Sequence, residues 1–127
     1  MRDILFRGKR VDNGEWVYGQ YAYLLNARTE DGEPIKHMIV DGTPFGQTVD
    51  PTTIGQYTGL TDKNGKRIFE GDIIFDPHPS IQKPYTVIWF SGSFVRRTKD
   101  GHYLSLSVLN CNEFEVIGNV HDNPELM

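Results

Sequence analysis

Ile54-Gly-Gln-Tyr-Thr-Gly-Leu-Thr-Asp-Lys-Asn-Gly-Lys-Arg-Ile-Phe-Glu-Gly-Asp-Ile-Ile74 is the stretch of sequence that decides the fold of this chain. It contains the densest turn-forming sequence, and an apolar run typical of a β-strand lies on either side. Gly65 supplies the positive φ of a tight turn, and the side chains of Asp62 and Asn64 can cap that turn. A phosphate-binding glycine loop is the alternative, but the glycine spacing does not fit and no helix follows. The stretch therefore predicts a β-hairpin.

The second part of this stretch, Phe69-Glu-Gly-Asp-Ile-Ile-Phe75, predicts one continuous strand with apolar residues on one face. Gly71 lies among those apolar residues and indicates a β-bulge or a close backbone approach. Glu70 and Asp72 would share the opposite face. Two carboxylates in this arrangement could bind a divalent metal or act as an acid–base pair. In the simpler interpretation Asp72 accepts a hydrogen bond from a neighbouring backbone amide and Glu70 is solvated.

The N-terminal part of the chain also has the period-two alternation of strands. Asn13-Gly14 between two apolar runs is a strong hairpin signal and predicts a type I′ turn. Residues 45–53 are expected to be irregular, since Pro51 cannot occupy a central strand. The second half of the segment 16–25 also fits a short helix, although the strand interpretation is preferred. The strands predicted in this part are 4–11, 16–25 and 35–40.

The C-terminal part predicts five short strands separated by tight turns, over residues 68–75, 85–90, 94–98, 102–109 and 113–121. This spacing is typical of a small antiparallel barrel, and an SH3-like barrel has a similar strand count by architectural analogy. We therefore expect a mainly β, antiparallel fold with little or no helix and a C-terminal barrel-like half. The 127 residues fit a single domain, with sub-lobes over 1–58 and 59–127.

The composition is that of an ordinary globular protein, with 38% hydrophobic and 24% charged residues. No apolar run approaches the ~20 residues of a membrane helix, and charges interrupt the apolar cluster at the N-terminus, so we expect neither a membrane span nor a signal peptide. The single cysteine, Cys111, fits a reducing cytoplasm. The net charge of −4 disfavours general nucleic-acid binding.

The sequence contains no conventional catalytic or metal-binding motif. The four histidines are scattered, and no Cys-x-x-Cys or His-Glu-x-x-His pattern is present. A metal-dependent hydrolase would require Glu70 and Asp72 to meet His121 or Asp122 in space. We predict instead that the protein is not an enzyme and uses neither a metal nor a cofactor.

One segment combines aromatic and basic residues as single-stranded nucleic-acid sites do. Alternation in a small sheet must place some of its aromatic rings in the core, so a structural role is the competing interpretation. The residues of this predicted binding ribbon, which adjoin Phe90, are Trp89, Phe94, Arg96, Arg97 and Lys99.

Three blocks of the sequence resemble the YopX family. They are the stretch quoted above, the N-terminal Phe6-Arg-Gly-Lys-Arg with Gly14-Glu-Trp-Val-Tyr-Gly, and the ending Phe114-Glu-Val-Ile-Gly-Asn-Val-His-Asp-Asn-Pro-Glu-Leu126. The resemblance implies a small, mostly β protein of bacteriophages and prophages, present in the host cytoplasm. It implies no reaction and no catalytic residue.

The leading functional hypothesis is a non-enzymatic phage accessory protein that binds and self-associates as a homo-oligomer. A host or phage protein is a further candidate partner, since exposed strand edges can pair with other chains. The alternative is a nucleic-acid-binding protein that uses the ribbon around residues 89–99.

Overall fold

The computed structural model of the chain describes residues 4–44, 46–107 and 113–127. The chain divides into two compact units, Met1–Gln56 and Tyr57–Met127. Strand β5 begins in the first unit and ends in the second. The described residues contain no helix that is long and apolar enough to cross a membrane. Their only helical segments are two 3₁₀ turns of three residues each, Pro51–Thr53 and Pro124–Leu126, so the mainly β prediction is confirmed.

The first unit is an antiparallel sheet in the order β4-β3-β2-β1-β5. Ile39 on β3 and Val49 after β4 are its most deeply buried apolar residues. The segment 16–25 is strand throughout, so the short helix considered for its second half is wrong. The strands of this unit are β1 (Phe6–Lys9), β2 (Trp16–Arg28), β3 (Pro34–Val40), β4 (Gln47–Thr48) and the start of β5 (Gly55–Thr61).

Two local predictions in the first unit are corrected. The β1–β2 connection is not a type I′ turn: Gly14 has a φ of 72°, but Asn13 does not have a positive φ. The loop instead closes through the Gly14 amide on the Arg10 carbonyl, and the Asn13 side chain accepts a hydrogen bond from the Glu15 amide. The segment 45–53 also contains the short strand β4, while Pro51 starts a 3₁₀ turn outside the sheet.

The second unit combines a β-hairpin with a five-stranded antiparallel sheet in the order β10-β9-β8-β7-β11. Its core cluster comprises Ile68, Ile74, Tyr85, Val87 and Phe114. The remaining strands are β6 (Arg67–Phe69), β7 (Asp72–Asp76), β8 (Lys83–Phe90), β9 (Ser93–Arg97), β10 (Tyr103–Ser105) and β11 (Glu115–Asn119).

The predicted hairpin of the second unit is confirmed, since β5 pairs with β6 around the turn that contains Gly65. The continuous strand over residues 69–75 is wrong. The chain turns at Glu70 and Gly71, where Gly71 has a φ of 92°, and it leaves the hairpin to enter the five-stranded sheet. The period-two pattern of apolar residues thus continues from one sheet into the other. The pattern alone therefore cannot reveal where the chain changes sheet.

Strands β7 to β11 stand in place of the five predicted C-terminal strands, the first of which is shortened to Asp72–Asp76. The strand pairings of the described residues form an open sheet and no closed barrel. The barrel-like part of the fold prediction is therefore not confirmed. Strand β10 ends at Ser105, earlier than the predicted 109, and residues 108–112 with Cys111 lie outside the described part of the chain.

Candidate binding surfaces

The β8–β9 hairpin determines which residues of the predicted ribbon share a face. Its turn is Ser91-Gly92, and both residues have positive φ, 53° and 90°, as a type I′ turn requires. This turn sets Trp89 opposite Phe94 and Thr86 opposite Arg97. Because cross-strand partners point to the same side of a sheet, the register assigns every side chain of the hairpin to one of two faces.

The first face ends in three apolar side chains, the exposed Trp89 and Leu104 and the partly buried Phe94, which we name the apolar corner. The rings of Trp89 and Phe94 meet edge to face with their centroids 4.8 Å apart. Trp89 is 53% exposed and Leu104 is 40% exposed. A contiguous group of large apolar side chains in water is a feature of interaction sites.

Arg96 belongs to the same face but serves the core. Its guanidinium carbon lies 4.8 Å from the ring centre of Tyr85 and 4.9 Å from that of Phe114. Its Nε atom donates a hydrogen bond of 2.9 Å to the Ser105 carbonyl. These contacts place the charge over two core rings and favour a structural role for this arginine.

The opposite face carries Phe90, Arg97 and Tyr103, which we name the aromatic–cationic face. The rings of Phe90 on β8 and Tyr103 on β10 stack with their centroids 4.2 Å apart and an interplanar angle of 7°. The Arg97 guanidinium lies 5.9 Å from the Tyr103 ring centre. Phe90 and Tyr103 are 46% and 45% exposed, so the stacked pair stands partly in water.

A cavity of about 530 Å³ opens where β8 begins and the β9–β10 turn passes. Two exposed lysines, Lys83 and Lys99, line it together with Pro84, Thr98 and Asp100. The Thr98 hydroxyl donates to the Asp100 carboxylate, and this hydrogen bond lowers the pKa of Asp100.

The predicted ribbon is thus divided between three places. Trp89 and Phe94 lie in the apolar corner, Arg96 covers the core, Arg97 lies on the opposite face, and Lys99 lines the cavity. Its use as a nucleic-acid site stays a prediction. The sequence did not indicate Tyr103 or Lys83, because their positions beside Arg97 and Lys99 depend on how β9 pairs with β10 and with β8.

A second aromatic and basic grouping, in the first unit, was also missed. The β1–β2 register sets Arg7 opposite Tyr18 and Lys9 opposite Trp16. The Arg7 guanidinium lies 4.7 Å and the Lys9 ammonium 5.7 Å from the Trp16 ring centre. The predicted hairpin contained part of the signal, because its two-residue turn puts the same residues on one face. That turn would set Lys9 opposite Tyr18, however, two residues away from the observed register.

The paired carboxylates do not form a metal-binding cluster. No group of three or more histidine, cysteine or acidic residues in the described ranges could hold a metal ion. Asp72 is buried and accepts a hydrogen bond of 2.7 Å from the Phe69 amide, so the simpler interpretation of Asp72 is confirmed. Glu70 lies in the turn that leads from β6 to β7.

Asp62 closes the hairpin turn onto β11. One carboxylate oxygen accepts hydrogen bonds from the amides of Asn64 and Lys66, at 2.8 and 2.9 Å, and the other accepts one of 2.9 Å from the Val116 amide. The Asp62 residue is 4% exposed. Burial raises the pKa of the Asp62 carboxyl, but the three amide donors outweigh burial and hold it below its ordinary value. The cap predicted for the Asp62 side chain is therefore confirmed, and it also binds a strand distant in sequence, whereas Asn64 contributes its backbone amide.

Comparison with known proteins defines the family. The crystal structure of protein EF1440 from Enterococcus faecalis is similar over 99% of this chain and 99% of that chain, with 25% identity and a TM-score of 0.61. No curated protein matches the chain. The model of the YopX protein family matches residues 5–127. Since this match covers nearly the whole length, the chain belongs to the YopX family.

Proposed function

We propose that the protein is a non-enzymatic accessory protein of a bacteriophage or prophage that acts in the host cytoplasm by binding, and that its first partner is a second copy of itself. The resemblance to the YopX family is the support for a bacteriophage or prophage origin. The observation that carries the proposed self-association is the apolar corner, where Trp89 and Leu104 stand in water on one face of the sheet.

The position of the apolar corner favours a second copy over a small ligand. Strand β10 is at the end of the strand order, so in the described part of the chain only β9 pairs with it. Antiparallel pairing of β10 with the same strand of a second copy would continue the sheet. That pairing places Leu104 beside its own symmetry mate, and a two-fold interface requires such self-complementarity.

The distribution of charge on the face that carries the apolar corner also supports self-association. Arg96, the cross-strand partner of Leu104, is the cationic residue that the register places beside the apolar corner, and its guanidinium is held by two core rings and a backbone carbonyl. Lys83 belongs to the same face by the alternation of β8, but it lies at the other end of that strand. The apolar corner therefore offers apolar surface without a free charge that burial would penalise.

Size-exclusion chromatography with light scattering tests the proposal. We expect the native protein to be a dimer or larger at micromolar concentration, and the double variant Trp89→Ser/Leu104→Ser to be a monomer with an unchanged circular dichroism spectrum. Leu25→Ser is the matched control, since Leu25 is 81% exposed on β2 and lies outside the apolar corner. A monomeric native protein, or a double variant of unchanged mass, would overturn the proposed self-association.

A further inference from the structure

We propose that the aromatic–cationic face, together with the lysine-lined cavity beside it, binds single-stranded nucleic acid. The residues differ from the ribbon indicated by the sequence, because the register regroups them. This surface is also separate from the apolar corner, so the proposal does not depend on self-association.

The first element of the site is an aromatic platform. Phe90 and Tyr103 stack nearly parallel over β9, at an interplanar angle of 7°. Each keeps almost half of its surface in water. A base can continue such a stack through its own π-face, which every base has, so the contact is tolerant of sequence.

The second element is a row of cationic groups. Arg97 lies beside the Tyr103 ring on the same face, and its side chain is exposed. The backbone continues from Arg97 through Thr98 to Lys99, which lines the cavity together with Lys83. A strand whose base stacks on Tyr103 would bring its phosphates to Arg97 and the two lysines.

The charges around this row still favour an anion. Asp100 lines the cavity, and Asp76 is the cross-strand partner of Lys83. Asp76 is buried and accepts a hydrogen bond from the His78 amide. His102 lies 3.4 Å from Asp100 and adds positive charge when protonated. The three cations Arg97, Lys83 and Lys99 outnumber the two acids Asp76 and Asp100. This leaves a local positive charge on a chain whose net charge is −4.

A mixture of aromatic planes and cations discriminates among anionic partners. Duplex DNA keeps its bases stacked internally and offers only phosphates, whereas an acidic peptide offers charge without bases. Single-stranded nucleic acid is the partner that uses both elements of the site.

Fluorescence anisotropy with a labelled oligothymidylate of about 12 nucleotides, matched to the site sizes of small single-strand binders, tests the proposal. We expect saturable binding at about 50 mM salt, with a log–log salt slope of about −2 for three phosphate contacts. Tyr103→Leu should weaken binding about tenfold with little change in the slope. Arg97→Gln and Lys99→Gln should each reduce the magnitude of the slope by about 0.7.

Two controls keep the result interpretable. Lys36→Gln removes an exposed lysine of β3, in the other unit, and should change the dissociation constant by less than about twofold. Phe90→Leu provides a second test of the platform if Tyr103→Leu unfolds, and circular dichroism reports the folding of each variant.

Each of three results would overturn the proposal. The first is the absence of binding at tens of micromolar protein and low salt. The second is binding that neither platform variant weakens, because the site would then recognise charge alone. The third is equal competition by poly-glutamate, which would identify an acidic peptide site instead. Trp89→Ser/Leu104→Ser, made as a test of self-association, should retain a nucleic-acid site on its opposite face, so the two proposals fail separately.

Discussion

Two parts of the C-terminal unit use similar turn chemistry for opposite purposes. The turn around Asp62 directs the Asp62 side chain inward. There its carboxylate accepts hydrogen bonds from three backbone amides of the same chain. The turn at Ser91-Gly92 instead presents aromatic side chains outward on both faces of the hairpin it closes. The family-signature stretch of the sequence therefore contains the first turn, which stabilises the fold, and the surface suited to binding lies elsewhere.

The same contrast separates two neighbouring arginines. Arg96 lies over the rings of Tyr85 and Phe114 in the core, whereas Arg97 lies on the exposed opposite face beside Tyr103. Identical side chains one residue apart have different roles because successive residues of a strand point to opposite faces. Sequence proximity is thus a poor guide to a shared site in this sheet.

The largest effect is expected from Asp62→Ala. The substitution leaves three partly buried amide donors without their acceptor, at Asn64, Lys66 and Val116. We expect the free energy of unfolding to fall by about 2–3 kcal/mol, because a hydrogen bond to a charged group contributes about 1.5–3 kcal/mol and water can replace part of the three that are lost, since Asn64 and Lys66 are exposed residues. Urea unfolding followed by circular dichroism measures the change.

Lys63→Ala is the matched control at the adjacent position. The Lys63 ammonium lies 3.7 Å from Glu115, but both side chains are about 40% exposed, so the ion pair should contribute less than about 0.5 kcal/mol. Equal losses in Asp62→Ala and Lys63→Ala would show that the carboxylate does not hold the turn to β11.

A smaller effect is expected from the paired arginine variants. Arg96→Ala removes two ring contacts and a hydrogen bond, and should lower the free energy of unfolding by about 2 kcal/mol. Arg97→Ala removes an exposed side chain and should change it by less than about 0.5 kcal/mol. Thermal and urea unfolding of both variants measure this difference. If Arg97→Ala proved the more destabilising of the two, the assignment of the hairpin faces would be wrong.

The sequence predicted the local features of the fold well. The β class, the hairpin around Gly65 and the cap by Asp62 all follow from turn chemistry that acts within a few residues. The change of sheet at Gly71 could not be predicted from the sequence. Two strands that flank a turn show the same alternation of apolar and polar residues when they share a sheet and when they do not. The barrel-like prediction failed for a related reason. Whether a sheet closes into a barrel depends on which distant strands pair, and local patterns do not specify those pairings.

The candidate surface was predicted only in part. Trp89, Arg97 and Lys99 were identified by composition, but composition could not separate them from Arg96, which serves the core. Tyr103 joins the aromatic–cationic face through the pairing of β9 with β10, and Lys83 comes to the cavity beside it through the pairing of β8 with β9, neither of which the sequence specifies. Register, rather than residue type, is the information that was missing.

The smallest expected effect is a dependence of the folding stability on pH. It should arise at the turn around Asp62 and not at the Ser91-Gly92 turn, which contains no carboxylate. The pKa of Asp62 is lower in the folded chain than its ordinary value of about 3.9, so its ionised form stabilises the fold above about pH 4. That stabilisation is lost as the pH falls through the folded pKa, since the proton then competes with the three amides.

The difference in stability between the native protein and Asp62→Asn should therefore be largest near pH 7 and should narrow as the pH falls below about 4. Exposed carboxylates with lowered pKa, such as Asp12 and Asp100, titrate in both proteins and cancel in the comparison. Urea midpoints measured from pH 7 to about pH 2.5 follow the difference. A difference that stayed constant across this range would mean that the shape of the Asp62 side chain, and not its charge, holds the hairpin turn to β11.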